Sequence, residues 1–223
     1  MHTIAHDLKS PLFNIKLAAG FLKENLEELK APEWKKHDDT FSFVSLITET
    51  SDKALLLIDD LLLIGEVEFT DESLEETNLN SYIQFHLSNL SVGAKKKGIS
   101  VTLHTPSKPV FAYINRDKFK RVLDNLLSNA VKFTKANGQV CIILNEEKGK
   151  AILQVQDNGI GIPEDLLGTV FHKFTKAGRV GTEGEPTIGL GLYIVKQIVN
   201  KHKGKVWIES QENVGTSVFI KIP

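Results

Sequence analysis

Cysteine is all but missing from this chain. Cys141 is the only one among 223 residues, so no disulfide can form within the chain and a reducing compartment is expected. Neither sign of charge dominates: 27 Lys and Arg stand against 28 Asp and Glu, a formal net charge of -1. That balance excludes the broad basic field of a nucleic-acid binder, so no nucleic-acid partner is expected. Long apolar runs are absent too. The most apolar stretch, residues 55–64, contains Asp59 and Asp60 and is far too short to span a bilayer. The region around Met1 lacks a basic and then apolar run, so no signal peptide is expected. There is no internal repeat and no low-complexity tract. What is present is an ordinary globular composition, 41% hydrophobic and 25% charged, in a length that suits one or two domains.

The first part of the chain has helical periodicity. Ile4, Leu8, Pro11, Ile15, Ala18, Leu22, Leu26 and Leu29 recur at spacings of three and four, which makes a narrow seam of the bundle kind. At about 100° per residue His6 lies roughly 200° from Ile4, away from the seam and open to a partner. Surface decoration is the bland alternative for such a histidine. Pro11 predicts a kink in one continuous helix; the alternative is Ser10 as N-cap with Pro11 as the first helical residue. Residues 31–39 break the pattern. A second helix is expected over about 40–67, with its seam through Phe43, Ile47, Thr50, Ala54, Ile58, Leu61 and Gly65. Two long helices with a short polar break predict an antiparallel hairpin. A hairpin this thin cannot bury its seam alone, so a homodimeric four-helix bundle is expected.

Residues 66–78 are acidic and polar and read as a linker. Beyond them the texture is mixed. Helices are expected over 79–97, 117–134 and 191–203, and strands over 99–104, 110–113, 140–145, 151–157, 205–210 and 217–222, with a turn at Lys148-Gly149. The fold class is therefore α+β: a helical hairpin followed by an α/β sandwich.

Three motifs carry chemistry. Asp157-Asn158-Gly159-Ile160-Gly161-Ile162-Pro163 follows an apolar strand. Its alternating glycines let backbone approach a ligand, and Asp157 supplies an acceptor carboxylate; a simple turn is the alternative. Thr187-Ile188-Gly189-Leu190-Gly191-Leu192 leads into a helix, whose amide-rich start suits phosphate, or is merely a glycine-rich helix start. Asn125, Asn129 and Lys132 fall at spacings of four and three, on one helical face opposite Leu126, Leu127 and Ala130. Amides and a lysine on one stripe suit a metal–phosphate group, or form a solvated face.

Together these motifs resemble the catalytic core of a sensor histidine kinase of two-component signalling, and the resemblance covers nearly the whole chain. Ala5-His6-Asp7-Leu8-Lys9-Ser10-Pro11-Leu12 is similar to the phosphoacceptor box and the 125–133 stretch to the asparagine box. Residues 157–163 resemble the first glycine box, Val170-Phe171-His172-Lys173-Phe174 the phenylalanine box, and Gly189-Leu190-Gly191-Leu192 the second glycine box. The resemblance implies a dimerisation and histidine-phosphotransfer domain over 1–68, a linker over 69–78, and a catalytic domain over 79–223. That last domain would be the Bergerat-type α/β sandwich with a mixed sheet, shared with topoisomerase and chaperone ATPases.

Residue roles follow from the same resemblance. His6 would accept the γ-phosphoryl group of ATP, and Asp7 would hold the imidazole basic and take its proton. Asn129 would ligate Mg²⁺, Asn125 would support the phosphates and Lys132 would contact them. Phe133 would lie near adenine. Asp157 would accept from the adenine amino group, with Gly159 and Gly161 permitting that approach. Gly189, Leu190, Gly191 and Leu192 would bound a mobile lid over about 163–188, in which Lys176 and Arg179 could reach the γ-phosphate. Ser10 stands four residues after His6, at the phosphatase position, where relatives with phosphatase activity usually carry Thr or Asn; it has a hydroxyl but is a less usual residue there, so the resemblance leaves phosphatase activity open. Pro186-Thr187-Ile188 precede the second glycine box, which is less glycine-rich than is usual. Relatives that hydrolyse ATP carry a glutamate base four residues before the metal asparagine. Here that position is Asn125, which cannot deprotonate water, so His6 is the candidate nucleophile.

The expected partners are a second copy, a response-regulator receiver domain that takes the phosphoryl group, and an upstream sensor or signalling helix missing from this chain. The fragment is expected to be cytoplasmic, with membrane anchoring left open for a full-length protein. A nucleotide-binding pseudokinase or scaffold without phosphotransfer is the alternative function. A chaperone-type ATPase is a third, disfavoured by Asn125.

Overall fold

The computed structural model describes residues 12–24, 42–48, 50, 51, 54, 58, 73–173, 175, 181–185, 187 and 189–223, with the backbone alone over 88–92. The chain divides into two compact units, Met1–Phe69 and Thr70–Pro223.

In the first unit, residues 12–24 form helix α1 and 42–48 helix α2, and 50, 51, 54 and 58 are helical as well. Ala19, Val44, Ser51 and Ile58 are buried. Of the expected seam, Ile58 is inside and Ala54 is half-buried. Ile15, Leu22, Phe43 and Ile47 are exposed, and so are Phe13, Leu17, Phe21 and Leu46. Most of the described seam positions therefore lie on the open face of these helices, and Ala19, Val44 and Ser51, beside the seam, are inside. The Pro11 kink and the 31–39 break lie outside the described residues.

The second unit opens with strand β1 (Glu75–Asn78), where a linker is expected from sequence. Four acidic and polar residues have no strand signal of their own. They are recruited by antiparallel pairing with β3 (Phe111–Ile114), Thr77 opposite Ala112, and only Thr77 is buried. Helix α3 (Leu79–Lys96) starts at Asn78, whose side chain accepts from the backbone N–H of Asn80 and of Ser81. It stops because Gly98 takes a left-handed φ of 66°, a conformation that costs glycine nothing. Helix α4 (Arg116–Phe133) starts at Asn115, which accepts from the Lys118 N–H.

Strands β2 (Ser100–His104), β4 (Gln139–Glu147), β5 (Lys150–Asp157), β6 (Lys205–Gln211) and β7 (Gly215–Ile222) form one sheet in the order β2-β4-β5-β7-β6. The β2–β4 pair is parallel and the other three pairs are antiparallel, so the sheet is mixed as expected. The β4–β5 hairpin turns at Lys148 and Gly149, both with positive φ, the type of two-residue turn whose twist matches the strands. A short helix, α5 (Glu164–Leu167), lies in the span expected to be lid, and α6 (Gly191–Lys201) follows it.

Alternation decides the layers. Val140, Ile142 and Leu144 of β4, Leu153 and Val155 of β5, and Ile220 and Ile222 of β7 are buried. The matching apolar stripes are Phe119, Val122, Leu123, Leu126, Leu127 and Ala130 of α4, and Ile194, Val195, Ile198 and Val199 of α6. α4 packs against both β5 and α6. Burial of these two stripes leaves the opposite side of α4, with Asn125, Asn129 and Lys132, half-buried at the edge of the layer.

Candidate nucleotide site

His202 sets the distance between the two helices that carry the motifs. Its buried ring accepts the Asn115 N–H at 2.9 Å through Nε2, and its Nδ1 lies 2.7 Å from the Ile198 carbonyl. An Nδ1–H donor and an Nε2 acceptor satisfy both contacts. The C-cap of α6 is thereby joined to the N-cap of α4.

At the other end of this pair, the glycines meet the asparagines. Gly191 is the first residue of α6. A Cβ placed there would lie 2.9 Å from Asn125 Oδ1 and 3.7 Å from Asn129 Nδ2. With glycine there, α6 begins close to the asparagine face without displacing the Asn125 amide. Asn125 is held by an Nδ2 hydrogen bond of 3.0 Å to the Arg121 carbonyl one turn back, which leaves its oxygen toward Gly191. Leu190, the N-cap of α6, offers no side-chain cap, so the first amides of α6 have no capping side chain there to satisfy them. That is the geometry of an anion site at a helix start. Leu190 itself is fully buried; its side chain serves the core, and only its backbone can serve a ligand. Leu192 is half-buried, and Gly189 has a φ of 75°.

The first glycine motif sits on the C-terminal turn of α4. The Ile160 N–H donates to the Phe133 carbonyl at 3.0 Å, and a Cβ on Gly159 would overlap that same carbonyl. Gly159 donates its N–H to Asp157 Oδ1 at 2.9 Å. Burial pushes the Asp157 carboxyl up to about 6, against the opposing pull of the Gly159 and Thr216 amides. A carboxylate kept this dry and short of donors is ready for one more. Gly161 differs from expectation. Its φ is 61° and a Cβ there would run into the Gln211 carbonyl, so it seats the motif on the β6–β7 hairpin instead of opening a path to a ligand.

The described parts of the segment between the motifs pack on the rest of the second unit. Glu164–Leu167 is helical, Val170 is buried, Lys173 lies 4.8 Å over the Tyr193 ring and Lys196 lies 5.7 Å over Phe171. Residues 181–185 form a compact turn: the Gly181 N–H donates to the Glu185 carbonyl at 2.7 Å, and the Thr182 N–H to the Lys132 carbonyl at 3.1 Å. The phenylalanine box thus clasps the start of α6, and the far part of the segment is attached to α4. His6, Asp7, Ser10, Lys176 and Arg179 lie outside the described residues.

So Asn125, Asn129 and Gly191 meet along the middle and second half of α4, and Phe133, Asp157 and Gly159 at its last turn, with Lys132 between. Lys97, Thr182, Glu185 and His202 were not singled out by sequence. His202 precedes the stop at Gly204 and looks like a surface residue at a helix end; Lys97 is one of three consecutive lysines.

The chain is similar to known proteins along these lines. Residues 114–223 match the model of the histidine kinase-, DNA gyrase B-, and HSP90-like ATPases. The sensor protein kinase WalK of Staphylococcus haemolyticus is 29% identical over 224 residues, covering 99% of this chain and 35% of that protein. The chain thus spans about a third of the length of the curated relatives it matches. The solved catalytic domain of histidine kinase ThkA is 31% identical with a TM-score of 0.60, covering 68% of this chain and 96% of that one. Full-length ShkA, solved in complex with AMPPNP, is 25% identical with a TM-score of 0.78, covering all of this chain and 45% of that one. The boxes, the mixed sheet and these likenesses agree, and the chain belongs to the histidine kinases as a sensor histidine kinase catalytic core.

Proposed function

We propose that this chain is an ATP-dependent protein-histidine kinase that phosphorylates His6 from Mg-ATP and passes the phosphoryl group to an aspartate of a response-regulator receiver domain. The observation that carries the reading is the meeting of Gly191 with Asn125 and Asn129, which puts a helix start beside two side-chain amides.

The residues divide the work. Asp157 accepts from the adenine amino group, and Phe133 lies beside the base. The α6 amides, Asn125 and Lys132 hold the phosphates. Asn129 offers one neutral oxygen, which suits Mg²⁺ arriving with the nucleotide, because that ion keeps phosphate and water oxygens around it and asks little of the protein. Among the described residues there is no cluster of three or more His, Cys, Asp or Glu that could form a resident metal cage. Lys176 and Arg179 add positive charge near the γ-phosphate.

Asn125 has no basic group to activate water, so attack falls to the His6 imidazole. A ring nitrogen bonds to the γ-phosphorus, the bond from that phosphorus to the bridging oxygen breaks, ADP leaves, and Asp7 takes the proton of the other ring nitrogen. Rate enhancement comes from positioning and from charge around the phosphates. Ser10 is the position from which a water could be oriented in the reverse, phosphatase direction.

A homodimer completes the reading. Phe13, Phe21 and Phe43 are 53, 63 and 61% exposed in the first unit, an apolar face of the kind a second copy would cover. Among the described residues no helix is long and apolar enough to cross a membrane.

Incubation with γ-labelled ATP tests the proposal. Acid-labile label on His6 is expected, absent in His6→Ala and Asn129→Ala. Acid-stable label on another residue would overturn it, and rapid phosphate release independent of His6 would favour an ATPase.

A further inference from the structure

Lys97 is a lysine in the wrong place for a lysine. Its side chain is only 4% exposed. Burying an ammonium is unfavourable unless acceptors surround it. Lys97 has four. Nζ lies 3.2 Å from the Val131 carbonyl, 3.1 Å from the Lys132 carbonyl, 2.7 Å from Thr182 Oγ1 and 2.8 Å from Glu185 Oε1. Two of these acceptors are the carbonyls that end α4, where a cation is favoured by the helix dipole. The other two come from the 181–185 turn, more than 80 residues away in sequence.

The turn is built to meet this lysine. Glu185 Oε2 accepts the Glu183 N–H at 2.8 Å, while Oε1 takes Lys97. Thr182 Oγ1 reaches the Thr134 carbonyl at 2.9 Å. A Cβ on Gly181 would lie 2.7 Å from Lys132 Cγ, so the turn rests on the stem of the lysine that the nucleotide reading assigns to the phosphates. Burial alone would raise the Glu185 carboxyl, but the Lys97 hydrogen bond and nearby backbone amides outweigh it and the carboxyl is held below its ordinary value.

We propose that Lys97 is a positioning residue for the phosphate end of the nucleotide site. Through Glu185 and Thr182 it straps the 181–185 turn to the C-terminus of α4, and the strap holds Lys132 in its binding geometry. Lys97 touches no nucleotide itself. The inference rests on the reading of this site as an ATP site. It adds a residue distant from every sequence box and ascribes phosphate affinity to an ion pair behind the site.

The test is titration of the whole chain with Mg-ATP and, separately, with AMP, for the unmodified protein, Lys97→Met, Lys97→Arg, Glu185→Gln and the double variant Lys97→Met/Glu185→Gln. Lys97→Met and Glu185→Gln should each weaken ATP binding by about tenfold, with AMP affinity unchanged, because AMP lacks the distal phosphates. The loss should appear in KM for ATP and not in kcat. The double variant should be no weaker than Lys97→Met, since both members break one link, and Lys97→Arg should recover most of the affinity. Glu185 is half-exposed, so Glu185→Gln keeps the test open where Lys97→Met does not fold. Unmodified protein that binds ATP while Glu185→Gln binds it equally well would overturn the strap alone. A parallel fall in ATP and AMP affinity would also overturn it, since that marks general loosening of the fold. Failure of the unmodified protein to bind ATP would overturn the site reading and the strap together.

Discussion

The two glycine motifs look alike in sequence and do different things. In the first, Gly159 and Gly161 are pressed against backbone: the Phe133 carbonyl on one side and the Gln211 carbonyl on the other. Backbone cannot swing away, so these glycines hold the fold together at the point where Asp157 must sit. In the second, Gly191 faces side-chain amides of Asn125 and Asn129, which can move, and the space it keeps open is the space that the proposed function assigns to phosphate. A glycine that meets backbone is a structural requirement. A glycine that meets polar side chains at a helix start is, on the proposed function, a requirement of binding.

The sharpest way to break this distinction is Gly161→Ala. The left-handed φ costs about 1–2 kcal/mol, and forcing a methyl into the Gln211 carbonyl adds about 1–3 kcal/mol. Chemical denaturation should show a total loss of roughly 2–5 kcal/mol, and a loss under about 1 kcal/mol would mean that the motif is not seated on β6–β7 as described.

Asp157→Asn separates stability from binding within the first motif. Burial pushes the carboxyl up to about 6 in the fold, from its ordinary value of 3.8. Its folded-state affinity for a proton is raised, so its stabilising contribution is complete below 3.8 and is lost as pH rises through about 6. At neutral pH the ionised group opposes folding, and the amide should raise stability by about 1–3 kcal/mol. Replacing the charged acceptor of the adenine amino group by an amide, which keeps one neutral acceptor oxygen and turns the other into a donor, should at the same time weaken ATP binding by about tenfold. In the unmodified protein ATP affinity should fall by up to about tenfold from pH 7.5 to pH 5, as Asp157 protonates; that slope should shrink in Asp157→Asn. An unchanged slope would place the titration elsewhere.

Gly191→Ala should behave in the opposite way to Gly161→Ala. Alanine is the better helix former by about 0.5–1 kcal/mol, so the melting temperature should hold or rise slightly. The methyl 2.9 Å from Asn125 Oδ1 should displace the amide and weaken ATP binding by about three- to tenfold, read by calorimetric titration. A melting temperature that drops as far as that of Gly161→Ala would erase the contrast between the two motifs.

Most of the strands and the long helices were legible because their signals are local. The alternation in β4 and β5, the Lys148-Gly149 turn and the α4 stripe each follow from neighbours in the chain. Strand β1 was not legible, because Glu75–Asn78 has no strand character until β3 pairs with it. The N-terminal seam was read from periodicity alone. Periodicity identifies an apolar face but not what covers it, and in the described helices Phe43 and Ile47 are open. At the candidate site, Asn125, Asn129, Asp157 and the glycines were picked out as types at a spacing. That Gly191 abuts the asparagines while Gly161 abuts Gln211 could not be, since each pair is brought together only by packing across the layer.

By itself the sequence determined which chemistry was available: a carboxylate after an apolar strand, amides on one face of α4, a glycine-rich helix start, and an asparagine in place of a general base. Each is a short-range pattern, set by residue type and helical or strand period. Tertiary structure alone decided which of those groups meet, how dry Asp157 becomes, and that Lys97 and His202 hold the arrangement. The reason is that burial and hydrogen-bond partnership are properties of distant segments in contact. A lysine beside two other lysines, or a histidine at the end of a helix, says nothing of them until the chain has folded around it.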